Sequence, residues 1–138
     1  MKEYKSKFDS KFDVYILFPG DEHYDAIMKI IPPGDIAFTD LRKKIIIIDG
    51  PQTKGLTKDH IAFIETHEIA HHKLNHKSVH GSPTQEAEAD YAAYLMLSKA
   101  GLKSAMALVK KYWDVRHKWI SFDEFKTKNG SDVSKRIN

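Results

Sequence analysis

An α+β fold, with a small β-sheet packed on a helical core, is predicted for this 138-residue chain by three observations. Runs of β-branched and aromatic residues, "FDVYILF" at 12–18 and "IIII" at 45–48, fall before residue 50 and read as strands. From residue 57 onward apolar residues instead recur at helical spacing. Proline, glycine and hydroxyl residues stand between the segments as start and stop signals.

The first strand, 12–18, stops at Pro19-Gly20, a turn pair. In "DEHYDAIMKII" the residues Tyr24, Ile27, Met28 and Ile31 lie on one helical face, and Pro32-Pro33-Gly34 ends that short helix. "DIAFTDLRKKIIIIDGP" holds two extended runs around a charged centre, which predicts a β-hairpin. Thr57 caps the next helix, expected from about Lys58 to Asn75 or His76, with Leu56 placed to staple onto Ile61. Ser82, Pro83 and Gln85 open a further helix that Gly101 closes. Leu102, Ala105, Met106 and Val109 follow the i, i+3, i+4, i+7 rule and predict an amphipathic helix to about Trp113. "SFDEF" opens a short helix at Ser121, and the residues from about 127 read as a mobile polar tail. One domain over 1–138 is the expectation, since compact domains commonly run to about 100–150 residues.

Composition narrows the function classes. Hydrophobic residues make up 41% and charged residues 30%, which excludes fibrous and disordered classes. A net charge of +3 spread over the chain does not argue for nucleic acid as a partner. The opening "MKEYKSKFDSKFD" has no apolar export stretch, and no segment reaches the roughly 20 apolar residues of a membrane helix, so a soluble, cytoplasmic protein without a membrane partner is expected. With no cysteine, any metal must be held by nitrogen and oxygen.

The chemistry concentrates in "HEIAHHKLNH", residues 67–76. His67-Glu68-Ile69-Ala70-His71 is HExxH on a predicted helix, so both imidazoles share a face and can reach one ion while Glu68 meets its open side. Composition alone would produce the pattern in roughly 0.02 of chains of this kind, so the match is informative. A catalytic zinc needs a third protein ligand. The spacing HExxHxxGxxH is not met, because Leu74 and Lys77 stand at the glycine and histidine positions. His80 remains a candidate from a loop, and "EAEAD" at 86–90 is the stronger one. If the two helices run antiparallel, His71 and Glu86 lie about 7.5 and 6 Å from the connection at 1.5 Å per residue, and so come level. Asp90, one turn deeper, is placed to fix the tautomer of His67 from its far nitrogen. Glu88 reads as exposed, and His72 and His76 as non-ligands, either solvated or lying behind the metal pair. The predicted architecture thus sets an HExxH helix beside an antiparallel glutamate-bearing helix.

HExxH followed by ExxAD resembles the gluzincin metallopeptidases, in particular the HtpX-like group and the small soluble minigluzincins, over about residues 60–98. The resemblance implies a single zinc ion held by His67, His71 and Glu86, with Glu68 activating water, Asp90 supporting a histidine, and a peptide or protein as substrate. The chain departs from that group in having no His-Pro stretch before Arg136-Ile137, which leaves the transition-state stabiliser to be drawn from His117, Arg116, Tyr112 and Tyr91. A zinc-dependent endopeptidase is therefore the leading expectation. Substrate would add as a strand at the sheet edge, with "IIIID" as that edge or its neighbour, although a plain core strand is the preferred reading of Ile45–Ile48. Two other readings stand beside it: an inactive zinc-stabilised interaction module, and a regulatory protease similar to the ImmA/IrrE group.

Overall fold

A computed structural model describes residues 1–32, 34–77 and 82–138. It is an α+β structure in which a four-stranded mixed sheet is followed by four packed helices. The strands are β1 (Lys2–Lys5), β2 (Asp13–Leu17), β3 (Ala37–Asp40) and β4 (Ile45–Asp49), in the spatial order β1-β2-β4-β3. β1 pairs antiparallel with β2, β2 parallel with β4, and β3 antiparallel with β4. The short helix α1 (Tyr24–Met28) provides part of the crossover between the parallel strands.

Alternation along the strands sets one buried face. Val14 and Ile16 on β2, Ile46 and Ile48 on β4 and Ala37 on β3 point inward with Phe12 and meet Ile69 of the following helix. "IIIID" is therefore an inner core strand beside β3, which forms the edge. The strand β1 has no counterpart in the sequence reading. Its residues are mostly charged and exposed, with only Tyr4 half-buried, which suits an edge but hides the pattern by which strands are recognised.

The helices are α2 (Lys58–Lys73), α3 (Pro83–Lys99), α4 (Lys103–Arg116) and α5 (Phe122–Ile137). Thr57, Ser82 and Ser121 each cap a helix by accepting from the backbone N–H three residues on. Helix α3 buries Ala87, Ala89, Ala92 and Ala93, small residues that admit close approach of neighbouring helices. Trp113 of α4 and Phe125 of α5 are fully buried in the same core, and the Trp113 indole N–H donates to Ile120 O at 3.0 Å.

The region expected as a polar tail from about residue 127 is instead the C-terminal part of α5. Phe122, Phe125, Gly130 and Val133 are buried, so tertiary burial outweighs the weak helix propensity of "KTKNGSD". Among the described residues no helix is long and apolar enough to cross a membrane.

Candidate metal centre

The sheet and the helical core share one element, α2, whose residues Glu65 to His71 are all buried. Ile69 turns toward the sheet, whereas His67 and His71 turn toward α3. Contacts pair His71 with Glu86, and His67 with both Glu86 and Asp90. Rising numbers on α3 thus meet falling numbers on α2, and the helices are antiparallel as predicted.

Three side chains converge as a candidate metal site: His67, His71 and Glu86. The two Nε2 atoms lie 3.1 Å apart, His67 Nε2 lies 3.3 Å from Glu86 Oε2, and His71 Nε2 lies 3.3 Å from Glu86 Oε1. Ligands about 2.0–2.1 Å from a tetrahedral ion are separated by about 3.3–3.4 Å, so the spacing fits a shared cation. Glu86 Oε1 is buried without a hydrogen-bond partner among the described residues, as expected of an atom whose partner is an ion. His80, the competing third ligand, lies outside the described residues.

Asp90 closes the far side. Its Oδ1 accepts from His67 Nδ1 at 2.7 Å and from Arg116 Nη2 at 3.2 Å, while Oδ2 accepts from Arg116 Nε at 2.7 Å and from His117 Nε2. With Nδ1 committed as a donor, His67 presents Nε2 to the centre in its metal-binding tautomer. Burial alone would raise the Asp90 pKa, but His67, His117 and Arg116 hold the carboxyl far below the usual carboxylate range. Burial likewise opposes protonation of His67, yet the Asp90 and Glu86 carboxylates push its pKa up to about 10, so the pocket favours a cation at this point.

Glu68 is buried, and burial is the main cause of its pKa rising to about 7. His67 and Arg116 oppose that rise, while Glu86 and Asp35 add to it. The carboxyl lines a cavity of about 400 Å³ together with His67, His71 and Glu86. Ile36, Leu56, Phe63 and Ile64 give the cavity an apolar wall.

The four predicted stabilisers separate. Tyr112 and Arg116 line the cavity, with the Arg116 guanidinium committed to Asp90. His117 is buried behind Asp90 and against the Trp113 ring, and Tyr91 packs among Tyr94, Phe122 and Phe125, so neither lines the cavity. His60, not singled out in the sequence, joins Tyr112 on the lining with ring centroids 6.2 Å apart. Its position one turn into α2, seven residues before His67, was the available signal.

Neither His72 nor His76 belongs to the candidate ligand set: His72 turns to the sheet, and His76 lies behind His71. Thr39 Oγ1 donates to Ile45 O, so it accepts from His72 Nε2 at 2.6 Å, and this bond ties α2 to β3. Burial is the chief reason the His72 pKa falls to about 4, which keeps the ring neutral. His76 is buried against His71, and Glu88 is largely buried between His76 and Arg136 rather than exposed.

Comparison of the chain with protein-family profiles, curated proteins and solved structures found no match in any of the three.

Proposed function

We propose that the chain is a zinc-dependent endopeptidase of the gluzincin type. The observation that carries this reading is the His67–His71–Glu86 set, whose ligand atoms converge closely enough to hold one ion and open on a cavity that also holds Glu68. Two imidazoles and one carboxylate, with a side left open, suit catalytic zinc better than a closed structural site. When bound, zinc supplies acidification of a water and polarisation of the scissile carbonyl. Glu68 takes the proton of the attacking water and passes it to the leaving amine. Tyr112 is assigned to the developing negative charge, because it is the predicted stabiliser on the cavity lining that is not bonded to Asp90.

The edge of β3 supports a peptide as substrate. Asp49 N–H donates to Ile36 O, so by antiparallel alternation the backbone groups of Phe38 and Asp40 face β4 and those of Ala37 and Thr39 face outward. An extended segment can pair there beside the cavity. The opposite edge, β1, carries Lys2 and Lys5, residues that discourage strand addition.

The test pairs metal analysis with cleavage of varied peptides by wild type, Glu68→Gln and Glu86→Ala. One zinc in wild type and Glu68→Gln, cleavage at least about 100-fold lower in Glu68→Gln, and loss of zinc in Glu86→Ala are expected. Zinc without cleavage in the wild type would favour an inactive binding module. Zinc lost in His80→Ala but kept in Glu86→Ala would overturn the ligand set.

A further inference from the structure

We propose that His76 is a positioning residue for His71, held in that role by Glu88 and Arg136; this rests on the metal reading of His67, His71 and Glu86. Each motif histidine would then have its own brace, Asp90 for His67 and His76 for His71.

The backbone explains how His76 arrives there. Helix α2 ends at Leu74, and Asn75 adopts the left-handed conformation at φ 55°. His76 N–H donates to His71 O at 3.0 Å and Asn75 N–H to His72 O at 3.0 Å, the paired bonds of a Schellman turn. Asparagine tolerates the left-handed position better than most residues. The turn folds the chain back on itself, so that the His76 ring lies against His71, with centroids 5.1 Å apart.

The hydrogen-bond roles are then forced in sequence. His71 must present an unprotonated Nε2 to the centre, so its proton sits on Nδ1. That Nδ1 lies 2.8 Å from His76 Nδ1, which therefore accepts. The His76 proton must then be on Nε2, and Nε2 lies 2.9 Å from Glu88 Oε1, an acceptor. Glu88 Oε2 accepts from Arg136 Nη1 at 2.6 Å, and Arg136 Nη2 donates to Leu74 O at 3.0 Å, at the end of α2. Every donor in the series meets an acceptor, and the series selects the metal-binding tautomer of His71. A carboxylate at position 76 would also accept from His71 but would be repelled by Glu88, whereas neutral imidazole accepts on one nitrogen and donates on the other.

Zinc affinity, measured by competition with a chromophoric chelator, tests the assignment apart from turnover. His76→Ala is expected to bind zinc at least tenfold more weakly than wild type, in line with the usual loss on removing a partner of a metal-binding histidine. His76→Asn, whose Oδ1 can accept from His71 Nδ1, is expected to recover most of that loss. Should His76→Ala fail to fold, Glu88→Ala, which frees His76 to change tautomer, is expected to bind zinc severalfold more weakly. In zinc-loaded wild type, NMR of the imidazole nitrogens should show His71 protonated at Nδ1 and His76 at Nε2. Wild-type affinity in His76→Ala or, if that variant is unfolded, in Glu88→Ala would overturn the role of His76 and leave the metal site standing. Absence of zinc binding by wild type would overturn the metal reading and this inference together.

Discussion

The Glu65 carboxylate is buried between α2 and β1, where one oxygen accepts from the Tyr4 hydroxyl at 2.8 Å and the other has no partner among the described residues. Tyr4→Phe removes that bond and is expected to cost about 1–3 kcal/mol in urea unfolding at neutral pH. Burial and then the bond and charge of Glu65 raise the Tyr4 pKa above its ordinary value. The folded state keeps the phenolic proton more tightly than the unfolded chain, so this contribution is present below about pH 10 and falls as pH rises above it. Unfolding measured at pH 9 and pH 11 should show a smaller decline in Tyr4→Phe than in wild type. Single residues also mark how far the candidate site could be read in advance. His67, His71, Glu86 and Asp90 obey helical spacing on two facing helices, so periodicity was enough to bring them together. His76 lies beyond the helix end, where its direction depends on the left-handed Asn75. Arg136, which donates to the Glu88 carboxylate that His76 also meets, is set by the docking of a distant helix, which local spacing does not encode.

Elements were legible where burial agrees with local preference. Strand β4 is one case: its isoleucines favour extended backbone, and Ile46 and Ile48 are fully buried. Ile46→Ala should therefore lower stability by about 2–5 kcal/mol in chemical denaturation. Helix α5 is the opposite case, because Gly130 and the polar residues around it disfavour a helix that Phe125 and Val133 nevertheless bury. A Cβ at position 130 would lie 2.9 Å from the Tyr91 hydroxyl and 3.2 Å from its ring. Tyr91 is enclosed by Tyr94, Phe122 and Phe125 and has little room to move. Gly130→Ala is thus expected to destabilise by about 1 kcal/mol, the crowding exceeding the gain in helix propensity, and urea unfolding would show the sign. β1 was illegible for a related reason, since an edge strand rich in lysine lacks the apolar alternation that marks a half-buried one.

Over the whole molecule, α2 joins the sheet to the helical core and carries most of the candidate centre, so metal binding and global stability should be linked. Zinc at about 1,000 times its dissociation constant would add about 4 kcal/mol to the folded state. For a chain of this size that corresponds to a rise in Tm on the order of 10 °C. Chelation should reverse the rise in wild type, and Glu86→Ala should show little of it by calorimetry. The α+β class followed from the order of strand-like and helical segments. The mixed strand order did not, because placing β4 between β2 and β3 depends on long-range pairing.

The braces around the centre differ in when they become available during synthesis. His67 and His71 emerge together on one stretch of chain, whereas Arg116 and then Arg136 follow only after α4 and α5 have been made. A ribosome therefore exposes the two motif histidines, with His76 close behind, before Asp90, Arg116 and Arg136 exist. Any metal captured by the nascent chain would meet only two of the candidate ligands until Glu86 has been made, and the Arg136 contact to Glu88 would come last.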